Sequence, residues 1–269
     1  LFQTVEALRP LGPGFVSVTY GAGGSERART VDLVKRLKRD AEVEPVAHVT
    51  CVGSPRDDVA RVLDEVAAAG IQNVLLLRGD PPRGEKTFAP HPDGFAHASD
   101  LVAYVRAQPE RWRFCVGAAA YPEGHPETRD LARDLAHLKK KVEAGVDFLV
   151  TQLFFENSHY FRFVERARAA GVAVPVMPGV MPLTRVDQIE RFTAMCGASI
   201  PPPLQAALEV RREDADASLQ FGVAYASLQA ADLLRRGAPG IHFYTLNRSP
   251  SSRAILAALR ASTPWRDGA

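Results

Sequence analysis

Asn73 to Pro82, NVLLLRGDPP, constrains this chain more than any other stretch: four consecutive apolar residues, Val74 to Leu77, end abruptly in Arg78, Gly79 and Asp80. A run apolar on both faces fits a parallel strand covered by helices rather than a half-wetted antiparallel one. Charge placed directly after it lies at a carboxyl end, where ligands bind in parallel α/β folds.

The pattern recurs along the chain. A helix carrying Leu1, Val5 and Leu8 stops at Arg9-Pro10, and Phe15 to Tyr20 reads as the first strand. Gly21 to Gly24 then forms a turn, with Ser25 as N-cap of a helix to about Asp40. Further strands are predicted at Val46 to Cys51, Val74 to Arg78, Phe114 to Ala120, Phe148 to Gln152, Val174 to Gly179 and Ile241 to Thr245. Helices are predicted from Ser54-Pro55 to Ala69, Ser99 to Gln108, Thr128 to Ala144, Ser158 to Ala170, Thr184 to Met195, Asp214 to Arg236 and Ser251 to Leu259. The helix from Thr128 sets Leu131, Leu135, Leu138 and Val142 on one face, and Pro201-Pro202-Pro203 reads as a break.

Strands separated by helices are parallel with right-handed crossovers. The seven strands fall one short of a (β/α)8 TIM barrel, and the helix at Leu1 has no strand before it. A doubly wound sheet is the rival, but Gly21 to Gly24 matches a dinucleotide fingerprint only weakly. The barrel is preferred, as a single domain over 1–269, because no linker or shift of composition interrupts the chain.

A formal charge of +2 with interspersed acids and bases argues against a nucleic-acid footprint or a membrane-surface patch. Small molecules are the expected partners. Cys51, Cys115 and Cys196 are widely spaced in mostly apolar surroundings, which reads as reduced core thiols of a cytoplasmic protein.

In a barrel the strand ends gather Thr19, His48, Thr50, Arg78, Asp80, Tyr121, Gln152, Asn247 and Arg248 at one mouth. Without a strand lysine a Schiff-base aldolase is disfavoured, and no cluster has metal-ligand spacing. Amides, hydroxyls, one acid and two arginines suit a large polar organic cofactor. Asp134, His137 and Lys141 follow at helical spacing beside the leucine face, an edge that can hold phosphate or ribose. Bland readings stand beside these: Arg78 and Asp80 as a local ion pair, His48 as a core histidine, and Phe154, Phe155 and Phe192 as packing.

Taken together, SVTYGAGG at 17–24, AHVTC at 47–51, LRGDPP at 77–82, AAYPEGHPE at 119–127, LKKKVEAGVDFLVTQLFF at 138–155, PGVMP at 178–182 and HFYTLNRS at 242–249 resemble the methylenetetrahydrofolate reductases, FAD-containing barrel enzymes of one-carbon metabolism. The resemblance implies FAD contacts at Thr19, His48, Leu77, Arg78, Gly79, Asp80, His97, Ala98, Ala119, Tyr121, His125, Asp134 and Lys141, with His97 standing where some members carry tyrosine. It implies folate or nicotinamide contacts at Gln152, Gln188, Phe192 and Arg248, and chemistry around Asp80 and Gln152. The implied reaction is ping-pong: NADH or NADPH reduces FAD, and 5,10-methylenetetrahydrofolate then becomes 5-methyltetrahydrofolate. A homo-oligomer is expected. The family opens on a strand with an acidic residue in a motif like EFFPP, which donates the proton; this sequence opens on Leu1 without it. The expectation is therefore that an N-terminal piece of the natural protein is absent here. Two alternatives remain open at this point: a flavin-binding chain without turnover, and a phosphate-binding barrel lyase.

Overall fold

The computed structural model describes residues 1–20, 24–81, 88–128 and 130–266. The Gly21 to Gly23 part of the expected turn lies outside them. Among the described residues seven parallel strands run in chain order: β1 (Val16–Val18), β2 (Pro45–Thr50), β3 (Asn73–Leu77), β4 (Cys115–Ala120), β5 (Phe148–Leu153), β6 (Val176–Val180) and β7 (His242–Phe243). Each pairs only with its sequence neighbours, in the expected parallel α/β pattern. The helices are α1 (Phe2–Leu8), α2 (Gly24–Asp40), α3 (Arg56–Ala68), α4 (Ala98–Arg106), α5 (Leu131–Glu143), α6 (Asn157–Ala169), α7 (Val186–Cys196), α8 (Pro202–Glu209), α9 (Ala215–Arg235) and α10 (Ser249–Ser262).

The sheet curls until its first and last strands meet through side chains. Ser17 Oγ and His242 Nε2 share a hydrogen bond of 2.8 Å, and Phe15 stacks on His242 with ring centroids 6.0 Å apart. Thr4 donates to the Asn247 carbonyl at 3.0 Å, tying α1 to the chain after β7. This is barrel curvature without a ladder between β1 and β7, and no strand among the described residues occupies the eighth position.

The main core lies between sheet and helices. Val34, Leu37, Leu63, Leu76, Val102 and Val116 are fully buried there. A smaller inner cluster of Val46, Leu75 and Val150, flanked by Phe15, Leu77 and Phe148, fills the barrel interior. These residues point inward at alternate strand positions, whereas Val74 and Leu76 face the helices.

Four local expectations need correction. Pro201 to Pro203 does more than break a helix, because Pro202 sits in the first turn of α8, where the missing N–H is not required. Leu204 and Leu208, one helical repeat apart, are then buried. Leu131 is 45% exposed because it is the first residue of α5, directly after the Asp130 N-cap, and overhangs the core. Cys115 is exposed at the first position of β4 rather than buried. Finally, β1 and β7 are shorter than predicted, as each has a ladder partner on one side only.

Candidate active site at the strand ends

The carboxyl ends of the strands open into a cavity of about 690 Å³. That is within the usual range for organic ligands. Every residue expected to contact FAD lines it: Thr19, His48, Leu77, Arg78, Gly79, Asp80, His97, Ala98, Ala119, Tyr121, His125, Asp134 and Lys141. Gln152, His137 and Thr50 line it too. Gln188, Phe192 and Arg248 do not. Gln188 pairs with Thr184 at 3.1 Å, Phe192 packs on the cluster around Leu153, Phe155 and Ile189, and Arg248 is an exposed residue at the start of α10.

Arg78 does not form a local pair with Asp80. Its guanidinium grips Glu127 through two parallel bonds of 2.7 Å, from the end of β3 to the loop after β4. This pairing holds the Glu127 carboxyl below its ordinary range. Glu127 carried no role in the sequence reading; it lies 49 positions from Arg78, and no local spacing links them. Asp80 stays exposed at the rim. Gly79 between them has φ +90, and a Cβ there would lie 2.6 Å from Val52 Cγ1. Only glycine lets the chain turn so tightly against the end of β2.

The α5 edge faces the cavity as its spacing suggested. Lys141 donates to the Ala119 carbonyl and lies 5.8 Å from the Tyr121 ring centroid. Burial lowers the Lys141 ammonium to about 8, opposed by Asp134, while burial raises the Asp134 carboxyl, opposed chiefly by Lys141. His97 and His137 face one another with centroids 5.9 Å apart. Tyr121 and His125 make a T-shaped contact with centroids 4.7 Å apart, and burial lifts the Tyr121 phenol to about 12. The deep wall is neutral: burial lowers His48 to about 3 and His242 to about 4, so both are uncharged imidazoles at pH 7.

The donor set fits a flavin. His48 Nε2, Thr50 Oγ1 and His242 Nδ1 are buried without a partner among the described residues, and all three residues line the cavity. Buried polar atoms left open in this way are satisfied by a ligand or solvent. Above them, Lys141, His137 and His97 offer donors suited to an anionic diphosphate. Among the described residues there is no cluster of three or more metal-ligating side chains.

A family model described as methylenetetrahydrofolate reductase matches residues 1–260. The chain belongs to the methylenetetrahydrofolate reductase family. It is 35% identical over 259 residues to 5,10-methylenetetrahydrofolate reductase of Escherichia coli (strain K12), covering 96% of this chain and 84% of that protein. It is 36% identical over 283 residues to methylenetetrahydrofolate reductase (NADH) 1 of Arabidopsis thaliana, covering 99% of this chain and 48% of the relative. The chain thus spans about half the length of the plant relatives it matches. Among solved structures, a Clostridium thermocellum protein described as binding two copies of 5-methyl-5,6,7,8-tetrahydrofolic acid matches with a TM-score of 0.53 at 14% identity, over 96% of this chain and 97% of that one. That likeness is one of fold. No helix among the described residues is long and apolar enough to cross a membrane.

Proposed function

We propose that this chain is a reductase unit that converts 5,10-methylenetetrahydrofolate to 5-methyltetrahydrofolate, with bound FAD and NADH or NADPH as reductant. The observation that carries this reading is the convergence of all the expected FAD-contacting residues on one cavity, together with family membership. Bound there, FAD would supply hydride transfer between nicotinamide and folate.

The protein's own part is to hold, orient and polarise. His48 and Thr50 are suited to the ring edge through their open polar atoms. Lys141, with His137 and His97 nearby, is suited to the diphosphate and ribose, where an anion would restore the charge that burial disfavours on Lys141. Arg78, fixed by Glu127, presents a guanidinium of set orientation. Asp80 supplies fixed negative charge beside the reacting ring, which opposes further negative charge there and strengthens reduction of an electron-poor iminium. Proton donation is not assigned to Asp80. Gln152, at the end of β5, is the group in the cavity suited to the folate or nicotinamide by hydrogen bonding. Gln188 and Phe192 on α7 and Arg248 before α10 would complete the substrate contacts from outside the present lining.

With both substrates taken to use this one cavity, they would occupy it in turn. Initial-rate measurements with NADH or NADPH and 5,10-methylenetetrahydrofolate should give parallel double-reciprocal lines and 5-methyltetrahydrofolate as product. Intersecting lines would overturn the shared-cavity reading, and absence of the methyl product would overturn the reaction.

A further inference from the structure

The β5–β6 ladder contains an irregularity at the residue that the proposed function uses. Val150 pairs with Met177 and Leu153 with Gly179, so three steps on β5 oppose two on β6. The extra residue forms a bulge at Thr151 and Gln152. Bulges commonly re-aim a side chain beside a functional site, and here Gln152 lines the cavity. A bulge leaves ladder groups unpaired, so its shape depends on what satisfies them.

Two side chains do so. Thr151 Oγ1 accepts the Gly179 N–H at 2.9 Å, and the Tyr244 hydroxyl donates to the Thr151 carbonyl at 2.8 Å. Tyr244 begins just beyond β7, where its own N–H donates to the Val180 carbonyl at 2.9 Å. From there its ring crosses β6 to reach β5. It can cross only because position 179 has no side chain: a Cβ on Gly179 would lie 2.3 Å from the Thr151 carbonyl oxygen and 2.6 Å from Tyr244 Cε2. His242 makes a T-shaped contact with the same ring, centroids 5.0 Å apart. Gln152 Oε1 then accepts the Leu153 N–H at 2.9 Å, which leaves its NH2 group as the donor available to a ligand.

We infer that Tyr244 is a positioning residue for Gln152: its hydroxyl fixes the β5 bulge and thereby the orientation of the Gln152 amide in the cavity. The role of Gln152 toward folate rests on the proposed reductase reading; the hold of Tyr244 on the bulge does not. Burial raises the Tyr244 phenol, so the group remains a donor throughout the neutral range.

The test pairs Tyr244→Phe with Tyr160→Phe. Tyr160 makes the same kind of bond, hydroxyl to the Val176 carbonyl at 2.8 Å, but on the helix side of β6 and away from the cavity. Both variants lose one hydroxyl-to-carbonyl bond of 2.8 Å, partly buried for Tyr244 and buried for Tyr160, so a loss of stability alone would show at least as strongly in Tyr160→Phe. Tyr244→Phe is expected to raise KM for 5,10-methylenetetrahydrofolate about tenfold, the equivalent of one ordinary hydrogen bond, whereas Tyr160→Phe leaves it unchanged. Combined with Gln152→Ala, Tyr244→Phe should add nothing further. Independently of turnover, the Gln152 side-chain amide resonances, assigned by their loss in Gln152→Ala, should shift in Tyr244→Phe and not in Tyr160→Phe. Equal effects of the two phenylalanine variants on KM, or unmoved Gln152 resonances in Tyr244→Phe, would overturn the inference. A wild type without reductase activity would refute the functional reading alone, and the resonance comparison would still decide the role of Tyr244.

Discussion

Lys141 offers the sharpest prediction, because it trades stability for binding. Its ammonium donates to the Ala119 carbonyl, and burial lowers it from 10.5 to about 8 against the opposing charge of Asp134. A base with a lowered folded-state value is neutral in the native protein before it is neutral in the unfolded chain. Between about 8 and 10.5 the unfolded state therefore binds more protons, and native stability rises with pH through that window. Below about 8 both states carry the proton, and the native state bears the full cost, on the order of 3 kcal/mol as an upper figure. Lys141→Met removes that cost. Flavin-free Lys141→Met should thus be more stable than wild type at pH 7 by about 1–3 kcal/mol, with the difference shrinking as pH rises past 8. In the same variant FAD affinity should fall by roughly 10–100-fold, through loss of a charge-assisted contact worth about 1.5–3 kcal/mol. Urea unfolding of both proteins at several pH values measures the first quantity, and flavin-fluorescence titration the second. The difference between the two proteins cancels the tyrosines and cysteines that titrate in the same window. A Lys141→Met protein less stable than wild type by a pH-independent amount would refute this reasoning.

Other consequences follow from the same cavity. Gly79→Ala combines a positive φ with a 2.6 Å approach to Val52, and should cost about 2–4 kcal/mol in chemical denaturation. Glu127 has a lowered carboxyl because of Arg78, so its pairing stabilises the fold fully above the unfolded value near 4.3 and is lost as pH falls through the folded value. Since the carboxylate is half exposed, Glu127→Gln should flatten acid unfolding by only ~0.5 kcal/mol, measured between pH 3 and 5. Asp80→Asn should move the potential of bound FAD upward by ~30 mV, equivalent to about 1.4 kcal/mol for two electrons, as read by dye equilibration. An unchanged potential would remove Asp80 from its proposed role.

The strands and their order were legible because burial on both faces leaves an uninterrupted apolar run, as in Val74 to Leu77, short enough and bounded closely enough by turn residues to be a strand. The α5 edge was legible for a similar reason: three- and four-residue spacing fixes which side chains share a stripe. What escaped was nonlocal or marginal. Glu127 meets Arg78 only because β3 and β4 are neighbours, and Ser17 meets His242 only because the sheet curls. The β5 bulge has no sequence mark of its own, since Thr151 and Gln152 look like ordinary strand residues until Gly179 and Tyr244 are placed beside them. Helix α8 was hidden by its prolines, which read as a stop when they in fact start a turn. Gln188, Phe192 and Arg248 rested on resemblance alone, and their place outside the cavity lining is a matter of tertiary arrangement that no local pattern encodes.

On the proposed reading the strand-end cavity binds a flavin that accepts electrons from a nicotinamide nucleotide. The most direct test of that reading is the visible spectrum of the purified protein after equilibration with FAD and gel filtration, followed by anaerobic addition of NADH or NADPH. Retained flavin absorption that bleaches on adding the nucleotide and returns on adding 5,10-methylenetetrahydrofolate is the predicted result; a colourless protein that does not retain FAD would contradict it.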